Sequence, residues 1–265
     1  MPGRFSNLEF DDQRRHNKDE GKREKPPVRQ STAGEHLAKA REEDRWGRFE
    51  SALRLYTRAL QEDRAMIAAW VGQVQMLVQL DECHEARLWS DKALELFRNN
   101  GELLAAKAQA CVRLQDMRAG LTCSDASLQA AGSSPWRWEV RGEVLLANGR
   151  KQYEDCFQKA LLEPAVEWFD RVIIARIYLY HRNVTNALRY LTEAVNMEPT
   201  HGYTWFQLGN CQKALGLIPA AKTSYQRSLE LCPGSVLVKQ ALDELKSGRS
   251  LFTWMGSILR RWRGR

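Results

Sequence analysis

The sequence predicts an all-α fold, a solenoid of about six stacked helix-turn-helix units. The first observation is a recurrence: Ala52, Ala86, Ala187 and Ala221 open the same short phrase at separations of 34, 101 and 34 residues. The second is that apolar residues within each phrase follow spacings of three and four, which place them on one face of a helix. A fixed period near 34 indicates units that bury their apolar faces by stacking on their neighbours.

The chain begins with a polar, charged segment, residues 1–32, that we expect to be a disordered arm. It lacks the apolar stretch of a secretory signal. Segments of this composition bury too little surface to offset the entropy of ordering the backbone. No run in the sequence approaches the roughly 20 consecutive apolar residues that cross a bilayer, so we expect no transmembrane helix.

Six windows follow the arm, each predicted to hold a first helix, a short turn and a second helix. They are residues 33–66, 67–100, 101–134, 135–167, 168–201 and 202–235. The turns often contain glycine, which reaches the left-handed conformation that reverses the chain after the first helix. Such glycines are Gly47, Gly149 and Gly216. Proline ends the second helix of three units, at Pro164, Pro199 and Pro233.

Two windows depart from this pattern. In the third window Gly120 replaces the recurring alanine, and we expect its second helix to pack less well. The same window ends in a clear break over residues 132–135. The fourth window is one residue short before its second helix, which accounts for the separation of 101 residues.

Two further segments follow the windows. Residues 236–247 are predicted to form an amphipathic helix that caps the exposed end of the array. Residues 248–265 form a basic amphipathic tail, in which aromatic and aliphatic residues fall on one broad helical face and arginines cluster at the end. The sequence leaves three surfaces open for this tail: the repeats themselves, an anionic membrane surface, or a partner protein.

These features resemble the tetratricopeptide repeat family over roughly residues 33–235. The last window carries the fullest match, at Trp205, Leu208, Gly209, Gly216, Ala221, Tyr225 and Pro233. The resemblance implies a right-handed superhelix whose first helices line a concave groove. Related repeats bind peptides or extended segments in that groove.

The resemblance also gives a set of candidate partner-binding residues on the first helices. They are Arg113, Glu139, Glu143, Phe169, Arg176, Tyr180, Tyr203, Phe206, Asn210 and Lys213. Aromatic side chains offer large contact areas, and Arg and Lys pair with carboxylates. Asn210 occupies one position of the family's carboxylate clamp for chaperone tails, but it lies in the last full unit. We therefore expect no chaperone-tail recognition.

The tail supplies a second candidate surface, for an anionic partner. Its candidate residues are Trp254, Arg260, Arg261, Trp262 and Arg263. The net charge of the chain is +7, and the segment from Lys246 to Arg265 has six basic residues and no acidic ones. The rest of the chain is close to balanced, which argues against a nucleic-acid footprint spread over the repeats.

No catalytic pattern stands out in the sequence. The five histidines are scattered, and the six cysteines form no C-x-x-C pair or zinc-ligand spacing. Phosphate-loop and nucleophile-elbow motifs are also missing. We expect no enzyme activity, cofactor, metal or small-molecule substrate. We expect reduced core thiols, which suit a cytoplasmic location.

The sequence therefore predicts a non-enzymatic scaffold or adaptor that binds a protein or peptide segment in its groove. The alternative is that the basic tail binds an anionic surface, membrane or nucleic acid, with the repeats as a spacer. Under that alternative the cytoplasmic protein would also lie at a membrane surface.

Overall fold

The fold is described from a computed structural model, which covers residues 31–246. These residues form α-helices and no strands, in agreement with the predicted all-α class. The helices are α1 (Ser31–Arg45), α2 (Phe49–Glu62), α3 (Ile67–Gln79), α4 (Cys83–Leu96), α5 (Gly101–Arg113), α6 (Met117–Gln129), α7 (Pro135–Ala147), α8 (Tyr153–Leu162), α9 (Trp168–Tyr180), α10 (Val184–Met197), α11 (Gly202–Ala214), α12 (Ile218–Leu231) and α13 (Val236–Lys246).

The helices pair in the predicted order, and the prediction of a helical repeat fold is confirmed. The first helices of the last five windows begin at Ile67, Gly101, Pro135, Trp168 and Gly202, the first residue of each predicted window. The helices divide into two compact units, with α1 to α8 in the first and α9 to α13 in the second. The predicted arm lies outside the described residues except at its end, and the tail lies wholly outside them.

No helix within residues 31–246 has the length and apolar character needed to traverse a lipid bilayer.

The turn inside each helix pair has the same backbone geometry in all six repeats. Its second residue is left-handed, with φ between 60° and 75°, at Gly47, Asp81, Gln115, Gly149, Arg182 and Gly216. The next residue donates its backbone N–H to a carbonyl in the last turn of the first helix, as Leu217 does to Gln212 at 2.8 Å. This is the Schellman arrangement, which satisfies carbonyls that the helix itself leaves open.

Small residues on the first helices make room for an aromatic residue of the second helix. A Cβ atom added at Gly209 would lie 2.6 Å from Cδ1 of Tyr225, and one added at Gly142 would clash with the ring of Phe157. Tyr225 and Phe157 are fully buried. The close approach of α7 to α8 and of α11 to α12 therefore depends on the missing side chain.

The third repeat has a close contact at the glycine that replaces the recurring alanine. A Cβ atom added at Gly120 would clash with Cγ2 of Val112 on α5, so the valine occupies the space that an alanine methyl would need. The rest of α6 buries only Ser124 and Ser127, which agrees with the expectation that this helix packs less well.

The break after α6 is closed by one buried arginine. Arg137, in the first turn of α7, is 3% exposed. Its guanidinium donates to the carbonyls of Ala130 at 2.8 Å, Ala131 at 3.1 Å and Gly132 at 2.5 Å, and to that of Ser127. A cation at the carboxyl end of α6 also interacts favourably with the helix dipole.

The fourth repeat takes up its missing residue in the second helix. The turn between α7 and α8 runs over residues 148–152, where the other repeats use three residues, and α8 has 10 residues where the other second helices have 13 or 14. Phe157 nevertheless occupies the place against Gly142 that Tyr225 occupies against Gly209.

The second unit ends with the predicted capping helix. Val238, Ala241 and Leu242 of α13 are buried against Ala221 and Tyr225 of α12. α13 begins 34 residues after α11 and therefore takes the place of a further first helix.

Candidate functional site

The predicted groove positions of the first unit meet in a buried polar network. Arg113 of α5 donates from Nε to Oε1 of Glu143 at 2.8 Å, and Gln109 donates from Nε2 to Oε2 of the same carboxylate at 2.6 Å. The Arg113 and Glu143 side chains are 4% and 0% exposed. Glu139, one helical turn before Glu143, is also fully buried.

This burial follows from how the first helices of the unit pack. α3 contacts α5, and α5 contacts α7, so successive first helices touch one another directly. The expectation that Arg113, Glu139 and Glu143 are exposed to a partner is wrong for the described conformation. Their side chains lie between helices.

In the second unit the first helices have few direct contacts with each other. α9 and α11 each pack closely on α10 and much less directly on each other. At their amino-terminal ends, the ring centroids of Trp168 and His201 lie 4.8 Å apart. Groove positions farther along α9 and α11 are consequently left partly exposed.

On α9, an arginine lies over an aromatic ring. The guanidinium carbon of Arg176 is 5.0 Å from the ring centroid of Phe169. Phe169 is 9% exposed and Arg176 is more open. Tyr180, one turn after Arg176, is partly exposed and contacts the His181 ring edge-on at 5.0 Å. Packing against an aromatic ring orients the guanidinium of an arginine.

On α11, two aromatic residues lie next to each other. The ring centroids of Tyr203 and Phe206 are 6.2 Å apart, and Phe206 is 5.9 Å from the buried Tyr225. Gln207 donates a hydrogen bond to the Tyr203 hydroxyl. Tyr203 and Phe206 are partly exposed. The ring pair therefore has a buried base and a solvent-accessible edge.

Asn210 and Lys213 are engaged inside the second unit. The Tyr225 hydroxyl donates to Oδ1 of Asn210 at 2.8 Å, and burial raises the pKa of Tyr225, which keeps this hydroxyl protonated. Nζ of Lys213 donates to Oε2 of Glu244 on α13 at 2.6 Å. Lys213 itself is 7% exposed. Asn210 and Lys213 therefore stabilise the packing of α11 on α12 and α13.

We call the partly exposed set on the second unit the α9–α11 face. It consists of Arg176, Tyr180, Tyr203 and Phe206, all at groove positions of the repeat register. Sequence reasoning missed the role of α13, whose Glu244 pairs with Lys213. The signal was present, because residues 236–246 continue the 34-residue register beyond the sixth window.

The predicted tail residues Trp254, Arg260, Arg261, Trp262 and Arg263 lie outside the described residues. Within residues 31–246, no group of three His, Cys, Asp or Glu side chains is placed to hold a metal ion. The six cysteines are free thiols.

Sequence comparison gives a family match and two curated relatives. A family model described as tetratricopeptide repeat matches residues 174–236. Human Superkiller complex protein 3 is 30% identical over 138 residues, which is 51% of this chain and 9% of that protein. The mouse protein of the same name is 28% identical over 156 residues, or 58% and 10% of the two chains. The chain thus spans about a tenth of the relatives it matches.

Solved structures with similar helical arrays share little sequence with this chain. A tetratricopeptide repeat protein from Parabacteroides merdae is 17% identical, with a TM-score of 0.49, over 83% of this chain and 86% of that one. A chain of the APC/C hetero-tetramer Cut9-Hcn1 is 15% identical, with a TM-score of 0.48, over 81% and 43%.

The likeness to tetratricopeptide repeats rests on the family model and on the repeat register. The family model matches residues 174–236, and the six helix pairs of residues 31–231 follow one 34-residue register with a common left-handed turn. Residues 174–236 therefore have the sequence of tetratricopeptide repeats, and the helix pairs that precede them have the same arrangement.

Proposed function

We propose that this chain is a scaffold or adaptor that binds an extended protein segment on the α9–α11 face. Tetratricopeptide repeats are generally a non-enzymatic, protein-interaction fold. The observation that carries the proposal is the contrast in burial. The α9–α11 face keeps aromatic and cationic side chains partly exposed, whereas Arg113, Glu139 and Glu143 of the first unit are buried.

The chemistry of the face favours an acidic segment with aromatic or aliphatic side chains. α11 has no acidic residue, and the one acidic residue of α9, Asp170, accepts a hydrogen bond from the backbone of Glu167 in the cap of the helix. Arg176 supplies the positive charge of the face. Tyr203 and Phe206 supply flat apolar area that is already fixed by Tyr225.

A peptide library displayed on phage and selected against the full chain tests this proposal. We expect enrichment of peptides that combine an acidic residue with aromatic or aliphatic residues. Their affinity is then measured by fluorescence anisotropy against the double variant Arg176→Glu, Phe206→Ala. The variant should lose about tenfold or more in affinity, because both the positive charge and the aromatic contact area are removed.

A matched control is Lys222→Glu, which makes a similar charge change at an exposed position of α12. This variant should bind the enriched peptides like the unmodified chain. Equal binding by the double variant would show that the peptides use another surface and would contradict the proposal. Circular dichroism checks that both variants stay folded.

The relatives are compatible with an interaction role. The human protein is named as a component of a complex, the Superkiller complex, and the chain matches a small part of it. We extend the proposal to location as well: a scaffold of this kind with free thiols would act in the cytoplasm.

The basic tail carries a second candidate function, the binding of an anionic surface. Six basic and no acidic residues lie between Lys246 and Arg265, interleaved with Trp254 and Trp262. Co-sedimentation with vesicles that contain phosphatidylserine tests it, with vesicles of phosphatidylcholine as the control. We expect salt-sensitive binding to the anionic vesicles that is lost when residues 249–265 are deleted. Unchanged binding after the deletion would eliminate this role.

A further inference from the structure

The third repeat places two cysteines side by side where other repeats carry larger pairs. The positions occupied by Cys111 on α5 and Cys123 on α6 correspond to Tyr178 and Tyr190 in the fifth repeat, whose rings stack at 5.7 Å. In the sixth repeat the corresponding pair is joined by a hydrogen bond of 2.7 Å from a serine to a glutamine. The two thiols of the third repeat lie close enough to change each other's acidity. The repeat register thus brings Cys111 and Cys123 together.

The small thiols leave room at the surface. A pocket of about 370 Å³ lies beside Cys123 and is lined by Arg87, Lys107, Asp116, Arg118, Ala119, Thr122 and Cys123. In the second and fifth repeats, Trp89 and Tyr190 hold the position of Cys123 and are buried. Cys111 is buried and Cys123 is partly exposed, so Cys123 is the thiol that faces the pocket.

The pocket is rich in cationic groups. Lys107 pairs with Asp91 at 2.6 Å, and Arg87 pairs with Asp116 at 3.6 Å. Arg118 is exposed at the rim. Three basic residues and Asp116 therefore line the space, which suits a small molecule that carries more than one carboxylate.

The same groups change the acidity of the thiol. The neighbouring Cys111 thiol, together with the charges of Lys107 and Arg87, lowers the pKa of Cys123 to about 7, against the opposing effects of burial and Asp91. Burial has the reverse effect on Cys211, whose pKa it raises to about 12. The thiolate is the nucleophilic form of cysteine, so a lowered pKa favours nucleophilic attack by a partly exposed thiol in cationic surroundings.

We propose that Cys123 is a modification site that accepts an anionic low-molecular-weight thiol from the corresponding disulfide. The Cys123 thiolate attacks one sulfur of the disulfide and forms a mixed disulfide with it. The second half leaves as a thiolate, which takes up a proton from water. One cysteine thiol and one small disulfide become one mixed disulfide and one small thiol, so the exchange needs no further oxidant.

The test uses glutathione disulfide and the full chain. After a short incubation near pH 7, peptide mapping under non-reducing conditions should find the glutathione adduct on the peptide that contains Cys123. Labelling by iodoacetamide should be about tenfold faster at Cys123 than at the partly exposed Cys232, because the cationic surroundings of Cys123 favour its thiolate. The labelling rate of Cys123 should reach half of its maximum near pH 7.

Variants test whether the residues of the pocket, and not only the exposure of the thiol, determine the reactivity of Cys123. Lys107→Gln should slow glutathione transfer and raise the half-maximal pH of labelling, while Lys159→Gln on α8 makes the same charge change outside the pocket and should do neither. Cys111→Ala should move the half-maximal pH toward the value of about 8.5 for free cysteine, and Cys111→Ser, which keeps a donor, should restore it in part.

Three results would overturn the proposal. The first is equal labelling of Cys123 and Cys232, and the second is a half-maximal pH near that of free cysteine in the unmodified chain. The third is a Cys111–Cys123 disulfide in place of the glutathione adduct. The measurements on the unmodified chain remain decisive if a Cys111 variant fails to fold.

Discussion

The two units share one repeat but differ in the burial of the side chains on their first helices. In the first unit, neighbouring first helices touch, and the groove positions of α5 and α7 become a buried network around Glu143. In the second unit, α9 and α11 pack through α10, and equivalent positions keep aromatic and cationic side chains at the surface. The direct contact between α5 and α7 therefore accounts for the burial of Arg113, Glu139 and Glu143, while Arg176, Tyr203 and Phe206 of the second unit stay partly exposed.

The largest expected effect breaks the buried network of the first unit. Glu143→Ala removes the carboxylate that pairs with Arg113 and leaves a buried cation without its counter-charge. We expect a loss of about 3–5 kcal/mol in the free energy of unfolding, measured by urea denaturation. Glu244→Ala, which removes the exposed carboxylate of the second unit's pair, serves as the contrast and should cost far less. A loss below about 1 kcal/mol for Glu143→Ala would mean that water reaches the network.

A smaller effect is expected at the cap of α6. Arg137→Ala removes hydrogen bonds to four carbonyls, and we expect it to lower the free energy of unfolding by about 2–3 kcal/mol. Arg137→Lys should recover little, because a single ammonium cannot replace a planar fork of donors. Arg150→Ala at an exposed position is the control. Full rescue by lysine would indicate that charge alone, and not geometry, closes the break.

Substitutions in the turns should have the same effect on stability in both units. Gly149→Ala in the first unit and Gly216→Ala in the second both place a side chain at positive φ, and each should cost about 1–2 kcal/mol. Arg182→Gly at the same turn position should be neutral or stabilise the fold by less than about 1 kcal/mol. Thermal unfolding measures all three. A clear difference between the two alanine variants would show that the surroundings of the turn, and not its backbone, set the cost.

The smallest effect is expected beneath the α9–α11 face. Lys213→Met removes the ion pair with Glu244, whose side chain is 53% exposed. Solvent screens such a pair, so we expect a loss of about 0.5 kcal/mol in the free energy of unfolding. Urea denaturation beside Glu143→Ala gives the direct comparison of the two units. A loss as large as that of Glu143→Ala would remove the distinction between them.

The fold was largely predictable because the repeat register is local. The positions of Ala52 and Ala221, the turn glycines and the prolines determine where helices begin and end, and five first helices begin where the windows predicted. The burial of Arg113, Glu139 and Glu143 was not predictable in the same way. It depends on how closely α5 and α7 approach, which no single window encodes.

The candidate site was predictable in part. Arg176, Tyr180, Tyr203 and Phe206 lie at the surface where the register put them, and their role in binding stays a prediction. Asn210 and Lys213 were expected at the surface too, but they are held by Tyr225 and by Glu244 of α13. The pairing of Lys213 with Glu244 could have been predicted only by continuing the 34-residue register beyond the sixth window. α13 would then have been identified as a seventh first helix.

The positions that hold Cys111 and Cys123 show how a repeat protein can acquire new chemistry. In different repeats the same two places contain a stacked tyrosine pair, an amide bonded to a hydroxyl, or two thiols, while the adjoining left-handed turn is unchanged. The two side chains at these positions pack on each other within one repeat. They can therefore be substituted in one repeat while the neighbouring repeats stay unchanged. A reactive group can arise in one repeat while the remaining repeats keep the array folded.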